Sequence, residues 1–326
     1  MIEILTSTAL NTVQDFGRPQ AMSLGVSWGG AMDRSALAWG NILLGNPADA
    51  AGIEVAFFPF RIRFLEERSF SITGAQCNAS LDNLSLPANW AITAKAGQIL
   101  TCGALEKGCR VYICVEGGLD VPIVFGARAT DLKAALGGYH GRGLQRNDHI
   151  HCGPRTLSLP AGGYGLTCPP PLPERGSVIV HALAAAEYHD FTPESRARFF
   201  SQPWRITSQA NRAGYRLEGD PLRRASDREL FSHGIMPGTV QIPPSGQPII
   251  QLADANTMGG YPKIATVIES DLRLLAQAPI GASVFFHEID IDAAVQRQRD
   301  TVRQFHDNTM KFSELRGSLI PWKQKK

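Results

Sequence analysis

A polar loop lies between two apolar runs in the stretch Pro248-Ile249-Ile250-Gln251-Leu252-Ala253-Asp254-Ala255-Asn256-Thr257-Met258-Gly259-Gly260-Tyr261-Pro262-Lys263-Ile264-Ala265-Thr266-Val267-Ile268. Short β-branched runs on either side of such a loop are typical of buried strands. The two glycines would let the backbone approach a ligand closely, beside a carboxylate, an amide, hydroxyls and an ammonium. A hairpin connection, whose glycines only supply positive φ angles, explains the local pattern equally well. The stretch therefore predicts two strands joined by either a ligand site or a hairpin.

The composition is that of a globular protein. The chain has 326 residues, of which 44% are hydrophobic and 19% charged, and its formal net charge is +2. The length predicts two domains. The small net charge gives no reason to expect nucleic acid or an anionic membrane as a partner. The sequence contains no apolar run of about 18 residues, so no membrane span is predicted.

The first residues and the cysteines indicate a cytoplasmic location. Residues 1–6 read as a strand and lack the basic and apolar regions of a secretion signal. The six cysteines form no CxxC pair and have no histidine at zinc-finger spacing. We therefore expect reduced thiols packed as small hydrophobic groups, and no metal site. His149 and His151 would share one face of a strand, a spacing that is more often incidental than a metal site.

Short strands recur along the whole chain, among its 32 glycines and 21 prolines. The pattern favours a mainly β fold with a few helices, made of barrels or sandwiches, over a doubly wound parallel sheet. Strands are predicted at 2–6, 52–56, 60–64, 69–73, 91–93, 110–115, 177–181, 204–207, 239–242, 249–252, 264–268 and 283–286.

The few helices are predicted from their end signals. Asp33 can cap a helix that stops before Gly45, and Thr192 followed by proline can start one that reaches about Phe200. Ser270 can cap a helix over 271–277. Beyond Asp290, a sparse apolar stripe in a charged segment predicts a surface helix.

Prolines and glycines cluster at 161–175, which marks the predicted domain boundary. Such a stretch is stiff and exposed, as an inter-domain linker would be. It divides the chain into a β domain over 1–160 and a second over 176–326, which includes the C-terminal helix. Each half also pairs a Gln- and Arg-containing cluster, at 14–18 or 209–214, with a later glycine-rich turn. This echo suggests duplicated barrels.

Further segments, at 12–18 with 29–34, at 116–138 and at 208–216, are polar and glycine-rich in the same way. Simple roles account for some of their residues: Asp33 can cap a helix, and Arg128 can pair with Asp131. No GxSxG, Walker or HExxH motif is present, and no Ala-Met-Lys-Met sequence for biotin attachment. The polar residues of these segments suit a small anionic or amide ligand. Arg can bind a carboxylate in a two-point manner, Gln and Asn can read an amide, and Asp can move a proton.

These segments carry a resemblance to a known family that runs from Ile2 to about Ala294. Four motifs are similar to those of the biotin-dependent carboxyltransferase-like family: Thr12-Val13-Gln14-Asp15-x-Gly17-Arg18, Gly30-Ala31-Met32-Asp33, Gly117-Gly118-x-Asp120-Val121-Pro122 and Gly259-Gly260-Tyr261-Pro262. That family includes Kip-antagonist proteins, the so-called allophanate hydrolase subunit 2 and the carboxyltransferase part of urea carboxylase. Within that family, three further motifs resemble those of the bacterial group of 5-oxoprolinase C subunits: Ser208-Gln209-Ala210-Asn211-Arg212, Asp227-Arg228-Glu229-Leu230 and Asp254-Ala255-Asn256-Thr257.

The resemblance implies two tandem cyclophilin-like β-barrels and a heteromeric complex. The partners would be the Kip-inhibitor-like B subunit of 5-oxoprolinase and its A subunit, and the complex would open 5-oxo-L-proline to L-glutamate with ATP. ATP would be bound by the complex and not by this chain alone, which has no nucleotide motif of its own. Two alternatives stay open: a carboxyltransferase component of a biotin-dependent urea or amide carboxylase, and a non-catalytic regulator that antagonises a Kip-inhibitor-like protein.

Three positions depart from the pattern of the family. Ala255 stands where carboxyltransferase members often have arginine, which weakens a carboxybiotin or urea interpretation. Met258 stands where many relatives have a second threonine, and Ala213 replaces a common methionine. The first two favour a small lactam as ligand, and the third is read as a packing change.

The residues of the predicted site follow from these motifs as hypotheses. Asp254 would move or orient a proton, Arg212 would bind the substrate carboxylate, and Lys263 would stabilise developing charge. Gln209, Asn211 and Gln241 would read the lactam amide, and the pocket would be shaped by Thr257, Gly259, Gly260 and Tyr261. Asp33, Arg34, Arg128 and Asp131 are further candidates for the substrate site or for a contact with a partner protein.

Overall fold

The computed structural model describes residues 1–8, 10–155, 157, 159–167, 169–174, 176–226 and 229–319. Contacts divide these residues into two compact units. The first unit comprises Met1–Gly17, Asp33–Leu172 and the residues from Val302 onward, and the second comprises Arg18–Met32 and Pro173–Thr301. The division at 161–175 stays a prediction: the contact-defined units change over at Leu172, and each also includes a segment from the other half of the sequence.

The first unit is built around a large sheet. In the described residues its strands are β1 (Ile2–Thr6), β2 (Thr12–Gln14), β3 (Gly52–Val55), β4 (Phe60–Phe64), β5 (Arg68–Leu81), β6 (Leu84–Leu86), β7 (Trp90–Ala94), β8 (Ile99–Val115), β9 (Leu119–Asp120), β10 (His149–Cys152) and β11 (Tyr164–Gly165). Their order along the sheet is β11-β7-β5-β8-β4-β1-β10-β9, with β3 pairing to β8 and to β2, and β6 to β5. Alternate residues such as Ile2, Ile4 and Ile62 are fully buried, so one face of the sheet forms an apolar core.

Helix α1 (Arg34–Leu44) lies on β5 and β8 of the first unit. Asp33 caps it by accepting a hydrogen bond from the amide of Ala36 at 3.0 Å, and Gly45 ends it in the left-handed conformation. A Cβ on Gly40 would lie 2.7 Å from the sulfur of Cys114, so the close approach of helix and sheet requires glycine there. The predicted helix and both of its end signals are confirmed.

The second unit contains a closed barrel. Its strands in the described residues are β12 (Ser177–Ala184), β13 (Trp204–Ile206), β14 (Gly214–Glu218), β16 (Thr239–Gln241), β17 (Ile249–Gln251), β19 (Lys263–Val267) and β20 (Ser283–Glu288), with a separate ribbon of β15 (His233–Gly234) and β18 (Met258–Gly259). The barrel order is β12-β19-β16-β17-β14-β13-β20. It closes where β12 and β20 run parallel, and Val180, Trp204, Ile250 and Phe286 fill its core. The predicted mainly β fold is confirmed.

Two helices of the second unit test the predicted starts. Thr192 caps α2 (Pro193–Ser201) through its hydroxyl, which accepts from the amide of Ser195 at 3.2 Å, so that start is confirmed. Helix α3 (Glu269–Ala276) already includes Ser270, and its N-cap residue is Ile268. The predicted Ser270 cap is therefore wrong. Strand β19 ends at Val267, so the chain enters the helix after one intervening residue.

The loop 252–262 is not a hairpin connection. Strand β16 pairs with both β17 and β19, so it lies between the two strands that the loop joins. Part of the loop forms β18, which pairs with β15 in the register Gly234↔Met258. The hairpin alternative is wrong because these flanking strands are not hydrogen-bonded to each other.

Helix α4 (Ile291–Leu319) confirms the helix predicted beyond Asp290. Its residues up to Thr301 belong to the second unit and those from Val302 to the first. In the first unit, the Phe305 ring lies 4.7 Å from that of Trp39, and Arg316 donates to the carbonyl of Ile42 at 2.7 Å. None of the helices in the described part of the chain has the length and apolar character needed to cross a membrane.

Candidate functional site

Arg212 and Asp254 form a two-point ion pair in the second unit. Nε of Arg212 donates to Oδ2 of Asp254 at 2.8 Å, and Nη2 donates to Oδ1 at 2.9 Å. Each side chain is only 12% exposed, so water screens this two-point pair little. The structure thus brings together two of the three residues predicted to be catalytic, but as each other's partners.

The turn before β14 sets the position of Arg212. Oδ1 of Asn211 accepts from the amides of Ala213 and Gly214 at 2.8 and 3.3 Å, which fixes the turn. The backbone of Arg212 then accepts from the amide of Asp254 at 3.0 Å. Asn211 and Gln209 are exposed. Their predicted role in reading an amide stays a prediction, and the observed role of Asn211 is to build the turn.

A segment from early in the sequence, 18–32, completes this environment. The carbonyl of Gly30 accepts from Nη2 of Arg212 at 2.7 Å, and the amide of Gly29 donates to the carbonyl of Ala253 at 2.8 Å. Gly29 and Gly30 have φ of 69° and 85°, which non-glycine residues adopt rarely. Sequence reasoning identified the Gly-Gly motif but not its contact with Arg212, because a carbonyl contact across such a sequence distance leaves no local signal.

A second polar group consists of two glutamines at neighbouring strands. Nε2 of Gln251, on β17, donates to Oε1 of Gln241, on β16, at 2.9 Å. Nε2 of Gln241 donates to the carbonyl of Tyr261 at 3.3 Å. A Cβ on Gly259 would lie 3.0 Å from that same Nε2, so Gly259 lets the loop pass close to Gln241. Gln241 and Gly259, which were predicted separately as substrate-binding residues, therefore lie close together.

Lys263 is held beside a carboxylate that the sequence did not single out. Nζ of Lys263 donates to the carbonyl of Gly234 at 2.8 Å, and its amide donates to Oε2 of Glu187 at 3.0 Å. The other oxygen of Glu187 lies 3.7 Å from Nε2 of His233. Lysine has three donors, so further donors remain for an acceptor after the bond to Gly234.

The remaining loop residues lie at the β15–β18 ribbon. The carbonyl of Thr257 accepts from the amide of Ile235 at 2.9 Å. A Cβ on Gly260 would lie 3.2 Å from the carbonyl of Leu230. Met258 and Tyr261 are both about half exposed, so the ribbon presents large side chains to solvent.

The four further candidates belong to the first unit. Asp33 caps α1, and Arg34 is the first residue of that helix. Oδ1 of Asp131 accepts from the amides of Lys133 and Ala134 at 3.0 Å each, so it caps a turn. Arg128 donates to Asp120, at 3.4 Å, and to the carbonyl of Val121. The predicted pair of Arg128 with Asp131 is wrong, because Asp131 is used within its own turn.

Sequence reasoning missed a buried carboxylate and phenol in the first unit. Oη of Tyr112 donates to Oε2 of Glu54 at 2.7 Å and accepts from the amide of Asp33 at 2.7 Å. Burial, followed by the charges of Glu54 and Asp33, raises the pKa of Tyr112 well above its usual value. Glu54 and Tyr112 are cross-strand neighbours of β3 and β8, a relation that only the sheet register shows.

The remaining predicted sites concern metal ligands and residues outside the described part of the chain. The described residues contain no group of three or more His, Cys, Asp or Glu side chains placed to hold a metal ion. His149 and His151 are both exposed on β10. Asp227 and Arg228 of the predicted motif, and Cys168, lie outside the described residues.

The chain is similar to proteins of two kinds. Residues 24–288 match the family model described as carboxyltransferase domain, subdomain A and B. The 5-oxoprolinase C subunit of Escherichia coli is 40% identical over 94% of this chain and 96% of its own length, and that of Haemophilus influenzae is 38% identical over 92% and 94%. The urea amidolyase of Lachancea kluyveri is 31% identical over 90% of this chain but only 17% of its own length.

Solved structures give the same fold. The Kluyveromyces lactis urea carboxylase superposes with a TM-score of 0.88 at 25% identity, over 94% of this chain and 29% of that one. The urea amidolyase from K. lactis superposes with a TM-score of 0.87 at 24% identity, which shows the fold alone. The chain spans less than a third of either protein.

Proposed function

Because the chain belongs to the carboxyltransferase subdomain A and B family, and within it to the relatives of the 5-oxoprolinase C subunit, we propose that it is one component of an ATP-dependent 5-oxoprolinase. The complex would open the lactam of 5-oxo-L-proline to L-glutamate. The observation that carries this proposal is the end-to-end match, at 40% identity, to a protein of that name. The cytoplasmic location is part of the same proposal.

The chemistry explains why such a complex would need ATP. An unstrained lactam is a poor electrophile, because its nitrogen donates electron density to the carbonyl. Transfer of the terminal phosphoryl group of ATP to the lactam oxygen makes the ring carbon open to attack by water. The ring C–N bond then breaks and the nitrogen takes a proton, which leaves an acyl phosphate on the new carboxyl group. A second water hydrolyses this acyl phosphate, so that glutamate and phosphate are released together with ADP. We assign ATP to the complex as a whole, in which this chain would join the Kip-inhibitor-like B subunit and the A subunit.

Asp254 is our candidate for the group that orients or moves the proton. Both of its oxygens accept from Arg212, and each oxygen keeps a further lone pair for a water or an N–H group. Because Nε and Nη2 of Arg212 already bind Asp254, a substrate carboxylate would have to share the guanidinium group with Asp254. If Arg212 binds the substrate carboxylate, it does so while also positioning Asp254.

Lys263 and Gln241 are our candidates for contacts with the lactam. The ammonium of Lys263 can stabilise negative charge that develops on the lactam oxygen, because one bond to Gly234 leaves it further donors. Gln241 is fixed by Gln251 and by the carbonyl of Tyr261, so its amide has a defined orientation. Gly259, Gly260, Thr257 and Tyr261 would shape the pocket around them.

The proposal is tested by purifying the chain together with its two partner proteins and measuring ATP-dependent release of glutamate from 5-oxoproline. We expect turnover by the complex and none when any one component is left out. Arg212→Ala or Asp254→Ala should lower turnover by at least about 100-fold. Arg205→Ala is the matched control, because its pair with Glu218 is exposed and 3.6 Å long. No glutamate release by the full complex would disprove the function, whereas near-normal turnover in both site variants would disprove only the site.

The urea amidolyase relatives favour a second candidate function, a carboxyltransferase component. That function predicts transfer of a carboxyl group from carboxybiotin to urea or an amide when a biotin carboxylase and a biotinylated domain are supplied. A non-catalytic regulator, the third alternative, predicts a tight complex with a Kip-inhibitor-like protein and no turnover with either substrate. The same purified components therefore separate all three functions.

A further inference from the structure

A basic pocket of about 370 Å³ lies on the first unit. It is formed on the outer face of the sheet: β1 and β4 turn Ile2, Ile4 and Ile62 toward the core, so the alternating residues face away from it. Arg61 and Arg63 of β4 line the pocket together with Arg146 and Asn147 from the turn before β10. The lining is completed by Glu3, Leu5, Thr6 and Ile99.

The lining carries more positive than negative charge. Its only acidic side chain, Glu3, pairs with Arg63 at 2.8 Å. Within the described part of the chain, the guanidinium groups of Arg61 and Arg146 have no hydrogen-bond or ion-pair partner. The cross-strand neighbours of Arg61 are the uncharged Thr6 and Thr101. Two guanidinium groups thus face one cavity without a counter-charge from the protein.

The turn that carries Arg146 and Asn147 is held in place. Arg142 donates to both oxygens of Asp148 at 2.7 Å, and Oδ2 of Asp148 also accepts from the amide of Gln145 at 2.8 Å. The amide of Asn147 donates to the carbonyl of Ile4 at 2.8 Å, which fastens the turn to β1. The backbone that carries Arg146 and Asn147 is therefore fixed, and Arg61 lies on a strand of the sheet, so a ligand would have to order only their side chains.

We propose that this pocket binds a small polyanion of the phosphate class, with at least two negative charges. Guanidinium groups bind phosphate oxygens in a two-point manner, and the uncompensated charge matches a dianion. The cavity is larger than a single phosphate, so pyrophosphate or the phosphate chain of a nucleotide fits its size. This site involves none of the residues assigned to lactam opening and goes beyond that function.

The test is titration calorimetry of the full chain with pyrophosphate, at low salt and at physiological salt. We expect binding that weakens with salt and that falls at least tenfold in the double variant Arg61→Ser, Arg146→Ser. The control is Arg223→Ser with Arg299→Ser, which removes two exposed arginines outside the pocket and should leave the affinity unchanged. Thermal unfolding of both variants checks that the fold persists. If the serine variant unfolds early, Arg61→Lys with Arg146→Lys replaces it, because it keeps charge but loses two-point binding.

Three outcomes would overturn the proposal. The first is no binding of pyrophosphate by the unchanged chain. The second is equal binding by the pocket variant, or an equal loss in the control, since either would show that general charge attracts the ligand. The third is citrate binding as tightly as pyrophosphate, which would assign the pocket to carboxylates instead of phosphates.

Discussion

Nε and Nη2 of Arg212 bind the two oxygens of Asp254 separately, and the same Nη2 also donates to the carbonyl of Gly30. One guanidinium thus joins three segments of the chain: the turn before β14, the loop after β17, and the early segment 18–32. Because a lysine has one nitrogen and no fork, only arginine can make these contacts together.

We therefore predict that Arg212→Ala and Asp254→Ala each cost about 2–4 kcal/mol of unfolding free energy, because either change leaves a largely buried charge unpaired. The double variant should cost little more than the worse single variant, since the pair is lost only once. Urea unfolding of the four proteins measures this. Additive losses would mean that the two residues act independently. Arg205→Ala, whose pair is exposed, should cost less than about 1 kcal/mol.

Two glycines on the paired strands β15 and β18 provide a matched test of the pocket shape. A Cβ on Gly259 would lie 2.5 Å from Cδ1 of Ile235 and 3.0 Å from Nε2 of Gln241, whereas a Cβ on Gly234 would meet no atom within 4 Å. We expect Gly259→Ala to lower kcat/KM of the complex at least about tenfold, since Gln241 must move. Gly234→Ala should leave it within about twofold. Equal effects of the two changes would show that Gly259 does not shape the site.

Asp148 should make stability depend on pH. Burial acts to raise its pKa, but the hydrogen bonds from Arg142 and from the amide of Gln145 outweigh it and hold the pKa below its usual value. A lowered pKa means that the stabilisation is present above the unfolded value of about 4 and is lost as the pH falls through the folded value. Asp148→Asn should cost about 2 kcal/mol at pH 7 and clearly less near pH 3. Urea unfolding at both pH values measures the difference, and a constant cost would contradict the assignment.

The thiols should differ in reactivity. A hydrogen bond from Cys102 lowers the pKa of Cys77, whereas burial raises the pKa of Cys109 and of Cys152, and raises that of Cys114 to about 12. The thiolate is the reactive form, so at pH 8 Cys77 should be alkylated by iodoacetamide before the other three. Peptide mass spectrometry over a time course measures the order. Faster alkylation of Cys109 or Cys152 would show that exposure, and not pKa, decides.

Local signals predicted the local features well. The caps at Asp33 and Thr192 and the stop at Gly45 are each decided by neighbouring residues, so the sequence shows them directly. Ser270 had the right chemistry for a cap and failed because the end of β19 places the helix start two residues earlier. Strands β5 and β8 were predicted only in part, since register shifts between Gly74 and Ala79 let long strands pass through residues with little strand pattern.

The candidate site depends on distant pairings, which the sequence does not show. Arg212, Gln241 and Lys263 were predicted, but their respective partners Gly30, Gln251 and Glu187 were not. Each of these contacts follows from the barrel order or from the early segment 18–32. The same holds for Glu54 and Tyr112, which meet only through the register of β3 and β8. The residue types indicated the chemistry of the candidate site, whereas the fold determines which of these residues contact one another.

The parallel pairing of β12 with β20 has a consequence for folding. These are the first and last strands of the barrel, and they align from Ser177↔Ser283 to Ala182↔Glu288. The barrel therefore cannot close during synthesis until its final strand has left the ribosome, and closure carries the loop entropy of the whole intervening chain. Until then β12 has an unpaired edge, which makes nascent chains of this unit candidates for chaperone binding and for exchange of β20 between molecules.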